Sequence, residues 1–232
     1  MSGGGRHSPI PICSISPSRF YLGFYSACPF SSYSASFFCL AAGNTRDRNT
    51  MSSLKTLVFD LETKRLADEV GGWDHIDKMG ISAGVTYHVE EDVWSLFKED
   101  DAGALLDELA SASKVVGFNL IRFDYTVLRP YGLSIDRPLV EKTTDMLADI
   151  SLTLGFRVGL DHLAEATLGE SKSADGLAAV KWYKKGEIDK VLAYCKQDVW
   201  VTYRLWGYGR DHGHIFRRDR SGSKKKIPVS WQ

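Results

Sequence analysis

Apolar residues follow no period over residues 1–50 and fall into a readable order from Leu54 onward. L54-K-T-L-V-F-D-L61 is a mostly apolar run of strand length. S82-A-G-V-T-Y-H-V89 and V93-W-S-L-F97 are β-branched or aromatic runs separated by the acidic turn E90-E-D92, the pattern of a hairpin. In D101-A-G-A-L-L-D-E-L-A110, Ala104, Leu105, Leu106 and Leu109 recur at helical spacing behind an Asp able to cap them, and K114-V-V-G-F118 returns to a short strand. Helical spacing recurs around 121–131, 145–154, 160–168 and 187–206, and residues 214–231 read as a hairpin turning at Ser221-Gly222. Three strands, a helix, a strand, a helix and then a helical half predict an α/β domain: a mixed β-sheet flanked by helices, closed by a short terminal hairpin. The 17 residues from Lys64 to Gly80 form a long connection, a kind often reserved for function in compact domains.

Composition divides the chain at Met51. Residues 1–50 hold ten Ser, four Arg, one acid (Asp47) and three of the four cysteines, Cys13, Cys28 and Cys39. Such an acid-poor stretch reads as a disordered leader, as a transit peptide, or as a spurious extension upstream of Met51, and residues 51–232 as the folded domain. A start at Met51 predicts a cytoplasmic protein; a transit peptide over residues 1–50 predicts a mitochondrion or plastid. Phe20 to Ala42 faintly resembles a signal sequence, weakened by its serines and Pro29, and no membrane partner is expected. Only Cys195 falls in the folded region, which excludes disulfides and Cys₄ zinc sites there. Overall neutrality conceals an asymmetry: residues 51–203 hold 17 basic and 26 acidic residues, residues 204–232 eight basic and two acidic.

Candidate chemistry lies in three stretches. In L57-V-F-D-L-E-T63, Asp60 and Glu62 stand two apart on a strand and project from one face, where a divalent cation would offset their repulsion; alone, the pair fits a strand end emerging into solvent. In G117-F-N-L-I-R-F-D-Y125, Asp124 sits among Phe118, Leu120, Ile121, Phe123 and Val127, and an acid in apolar company needs a partner, although a helix N-terminus also favours one. In V191-L-A-Y-C-K-Q-D-V-W200, Tyr194 and Asp198 are four apart and share a helix face, a spacing common in purely structural helices.

Together, F-D-x-E-T, N-x-x-x-F-D and Y-x-x-x-D, in that order from Leu57 to Leu205, resemble the three motifs of the DEDD superfamily of 3′–5′ exonucleases on a ribonuclease H-like fold. The histidine branch places His five residues before the last Asp, where this chain has Ala193; Tyr194 resembles the tyrosine branch, which includes ribonuclease D and the proofreading domains of family A and B polymerases. T143-T-D145 and L160-D-H-L-A164 are similar to that superfamily's connecting segments, and the compact layout resembles the YprB-type ribonuclease H-like group. The resemblance implies that Asp60, Glu62, Asp124 and Asp198 hold two divalent cations, Mg²⁺ or Mn²⁺, with Asp60 bridging, for in-line hydrolysis at the 3′ end of RNA or DNA. It implies that neutral Tyr194 orients the attacking water, that Thr63 and the backbone near Leu61 meet the terminal nucleotide, that Leu61 or Phe123 wedges against a base, and that Asn119 is on the substrate side.

Weaker signals surround these. Lys172, Lys181, Lys184 and Lys185 fit phosphate contacts or a solvated basic face. Trp73 and His75 fit base stacking, closure over the site, or plain loop packing. The basic terminal hairpin fits a grip on nucleic acid. Two alternatives to an exonuclease stay open: a nucleic-acid-binding module serving a helicase or polymerase partner, and a ribonuclease H-like endonuclease, which would need the acids but not the Tyr194–Asp198 pair.

Overall fold

β1 (Thr56–Thr63) is the strand around which the rest is arranged. In the computed structural model, residues 55–170 and 176–232 are described; the leader and Lys172 lie outside the described residues. The Lys64–Gly80 connection holds a one-turn helix, α1 (Ala67–Val70), and a 3₁₀ stretch, Trp73–Lys78. The expected strands follow as β2 (Ile81–His88) and β3 (Val93–Phe97), then α2 (Ala102–Ser111) and β4 (Lys114–Gly117). Next come α3 (Tyr125–Leu128), α4 (Arg137–Glu141), β5 (Thr143–Asp145), α5 (Met146–Leu154) and α6 (Leu160–Leu168). The chain ends with α7 (Gly176–Lys184), the long α8 (Ile188–His212) and the hairpin β6 (His214–Arg218) and β7 (Lys224–Pro228).

The five-stranded sheet runs β3-β2-β1-β4-β5. β1 pairs antiparallel with β2 and parallel with β4, so it is central and mixed in its pairing, as a ribonuclease H-like α/β sheet requires. Alternation along β1 sends Leu57, Phe59 and Leu61 into a core shared with Leu105 and Leu109 of α2. Val58 points the other way, into a second core with Cys195, Val199 and Leu205 of α8. A bulge interrupts β1–β2 pairing after Glu62: Glu62 faces Ala83 while Thr63 faces Ile81. Among the described residues no helix is long and apolar enough to cross a membrane.

Four elements depart from the expected pattern. Residues 121–131 are not one helix: Leu120–Asp124 is a π turn, α3 is a single turn, and a 3₁₀ turn at Arg129–Tyr131 ends at Gly132, with φ of 109°. Thr143–Asp145, polar and three residues long, is the fifth strand, carried by parallel hydrogen bonding to β4 rather than by its own hydrophobicity. α7 was not legible as a helix because Ala179 and Val180 are its two buried residues, too few to make a period. α8 runs past Trp206 to His212, with Gly209 continuing the buried face of Leu205 and Trp206.

Candidate active site

The two faces of β1 decide where charge can go. Asp60 and Glu62 lie on the face turned toward α8, while Phe59 is sealed into the opposite core and Leu61 packs at that core's edge, where it also borders the cleft described below. α8 delivers Tyr194 and Asp198 one turn apart on its sheet-facing side. The result is that one carboxylate oxygen from each of Asp60, Glu62 and Asp198 lies within 4.8 Å of the other two, with all three side chains half-buried. Three hard oxygen donors at that separation fit a divalent cation of the Mg²⁺ or Mn²⁺ type.

Asp124 reaches the same place by a different route. Asn119 takes a left-handed conformation (φ 72°), which turns the chain out of β4, and Asp145 anchors the turn. One oxygen of Asp145 accepts from the N–H groups of Asn119 at 2.9 Å and Ala148 at 3.2 Å, and the other accepts from Ile121 at 3.0 Å. The π turn then places Asp124 at 2% exposure, where its Oδ1 accepts from the backbone N–H of Leu61 at 3.2 Å. Burial, and then the charge of Asp60, hold its carboxyl well above the usual carboxylate range. A divalent cation between the carboxylates would offset this repulsion.

Tyr194 is buried against the edge of Trp182, ring centroids 5.9 Å apart, and its hydroxyl is hydrogen-bonded to Asp198. Burial, then the charges of Asp198 and Glu62, push the phenol far above its ordinary value, so it stays protonated. Cys195, next on the helix, is fully buried and its thiol donates to the Asp60 carbonyl at 3.3 Å; burial, then Asp60, raise its pKa too. This hydrogen bond ties α8 to β1.

These groups open into a cleft of about 360 Å³ lined by Asp60, Leu61, Glu62, Thr63, Phe123, Asp124, Tyr194 and Asp198. Eight of the nine candidate residues thus share one space. The ninth, Asn119, is not among the lining residues; its side-chain oxygen accepts from Arg157 at 2.8 Å. Trp73 also lines the cleft, 63% exposed and 6.4 Å from the Phe123 ring, whereas His75 packs beneath Gly71 instead. Lys184 is engaged in an ion pair with Glu69.

Residues 48–208, more than half of the chain, match the family model described as 3′–5′ exonuclease, a family of DEDD exonucleases. The chain belongs to that family. No curated protein matches it. Membership makes the exonuclease domain a nuclease of the hydrolase class with a nucleic-acid substrate, and the clustered carboxylates are its acidic residues able to bind metal.

Four contributors to this site escaped sequence reasoning. Asp145 organises the turn that carries Asp124; an Asp immediately before an apolar helical run is an N-cap signal that could have marked it. Cys195 offered no signal beyond being the one cysteine of the domain. Leu177 and Val180, which close one side of the cleft, sit on α7, whose pattern is too short to read.

Proposed function

We propose that this exonuclease domain belongs to the tyrosine branch, with a layout closest to the YprB-type group, and removes nucleotides stepwise from the 3′ end of RNA or DNA using two divalent cations. The observation that carries this reading is the convergence of Asp60, Glu62 and Asp198 within 4.8 Å of one another beside a protonated Tyr194. Asp60, Glu62, Asp124 and Asp198 would hold the cations. When bound, the ions lower the pKa of water and stabilise charge on the attacking and leaving oxygens.

The protein's own groups supply orientation. The Tyr194 O–H donates its hydrogen bond to Asp198, which leaves its hydroxyl oxygen to accept from the attacking water and point it at the phosphorus. Leu61 and Phe123 offer apolar contact to the terminal base, with Trp73 beside Phe123 as a further stacking surface. Thr63, whose hydroxyl donates to the Arg65 carbonyl at 3.0 Å, would meet the terminal nucleotide. A helicase or polymerase partner is not part of the proposal.

The test uses 5′-labelled RNA and DNA oligonucleotides with Mg²⁺, Mn²⁺ or EDTA. The reading requires a stepwise ladder that depends on metal and is blocked by a 3′-phosphate. Discrete internal cuts would transfer the weight to an endonuclease, and metal-independent binding without products to a binding module.

A further inference from the structure

The terminal hairpin is built in a way that its own stability does not explain. In its register Arg217 faces Lys225 and Arg218 faces Lys224, so like charges stand directly opposite across both pairs, an arrangement that weakens a two-stranded ribbon. The acids nearby do not balance it. Asp219 is occupied within the turn, accepting from Ser221 and Ser223 and pairing with Lys225 at 3.4 Å, and Glu165 reaches only Arg218, at 3.8 Å. The Nε of Arg217 is buried with no hydrogen-bond partner among the described residues, its guanidinium lying 5.4 Å from the Phe156 ring centre. Arg220 is exposed and has no carboxylate partner among the described residues.

The arginines of the hairpin border a second cleft, of about 480 Å³, between the loop joining α5 to α6 and the hairpin; Arg157, Arg217, Arg218 and Arg220 line it together with Phe156 and Asp219. Two residues link it to the acidic cleft. Arg157 donates to the side chain of Asn119 at 2.8 Å, and Asn119 follows Phe118, which lines the acidic site; consecutive Cα atoms are about 3.8 Å apart. A polyanion must approach a region with 26 acids and 17 bases, and the eight bases of residues 204–232 are the counterweight. Guanidinium groups with an unmet N–H, next to an exposed aromatic face, are the chemistry that takes a phosphodiester backbone and an unpaired base.

We infer that the cleft between Phe156–Arg157 and the β6–β7 hairpin is a phosphate track that holds the body of a single nucleic-acid strand while its 3′ end occupies the acidic cleft. The inference rests on the exonuclease reading for the direction of the strand, but binding at the track does not require turnover. It makes the substrate a strand several nucleotides long, rather than a dinucleotide.

The test measures anisotropy of a labelled single strand of about 16 nucleotides against salt in EDTA, for the full chain and for Arg217→Gln/Arg220→Gln. The track predicts that the double variant loses at least about tenfold in affinity at low salt and that the slope of log K against log salt falls by about 1.4, two contacts at about 0.7 each. Metal-dependent hydrolysis of a p-nitrophenyl ester of a mononucleotide, too small to reach the hairpin, stays unchanged. Arg220→Glu alone, at an exposed turn, repeats the binding loss in smaller degree if the double variant fails to fold. Unchanged strand affinity and salt slope overturn the track; so does a parallel loss of ester hydrolysis, which would trace the effect to the acidic site. A native chain that binds strands through the hairpin yet hydrolyses nothing leaves the track standing and removes the exonuclease reading alone.

Discussion

The two faces of β1 carry opposite chemistry on alternating residues of a single strand. Leu57 and Phe59 are sealed beneath α2 and contribute to stability through area removed from water. Asp60 and Glu62 are held against α8 in a geometry that crowds negative charge. The first face is comfortable without a ligand, whereas the second crowds its acids beside Asp124, whose carboxyl is raised above its usual pKa by burial and then by Asp60, an arrangement that a divalent cation would relieve. Substitutions on the two faces should therefore separate: one set acting on folding, the other on turnover.

Asp60→Asn should show the largest effect, lowering exonuclease turnover by at least about 1000-fold while the variant keeps its circular dichroism, since a charge acting on the transition state is removed and the core is not. Phe59→Ala, one residue earlier, should do the reverse. It should cost about 3–5 kcal/mol of stability, read by denaturant unfolding, with turnover per folded molecule little changed. Tyr194→Phe should lower turnover by about 10- to 1000-fold with a stability change within about 1 kcal/mol, because the ring and its packing on Trp182 remain and one hydroxyl is lost. Stability matching but turnover unchanged would reduce Tyr194 to a packing residue.

The smallest effect is in pH. Asp124 has a folded pKa above its unfolded one, so the metal-free native state binds its proton more tightly; stability is present below the ordinary carboxyl range and is lost as pH rises through the folded pKa. In EDTA the melting temperature of the native chain relative to Asp124→Asn should fall as pH rises above about 4. A difference that is flat with pH would mean that Asp124 carries no such strain.

Much of this could be read from the chain before its structure. β1, the β2–β3 hairpin, α2, β4, α6 and the terminal hairpin follow from alternation or helical spacing, and three short motifs name the residues that meet in the cleft. What was illegible depends on partners distant in sequence. Thr143–Asp145 is a strand because β4 lies beside it. Leu120–Asp124 winds as a π turn because Asp145 holds its N–H groups from 20 or more residues away. Asn119 reads as a substrate residue by motif, yet its amide is taken by Arg157, whose position depends on how α5 leads into α6. The basic hairpin is visible as composition; its opposition of like charges appears only with its register.

The central claim is that the strained face of β1 is a metal site, and thermal unfolding of the native chain and of Asp60→Asn, each in EDTA and in Mn²⁺, tests it most directly. In EDTA the variant should melt at or above the native temperature, because one of two mutually repelling charges is gone. Mn²⁺ at about 100 times its Kd should stabilise the native chain by about 2.7 kcal/mol, roughly 5–10 °C for a domain of this size, and the variant far less. A native chain indifferent to Mn²⁺, or a variant stabilised as much as the native chain, would contradict the account.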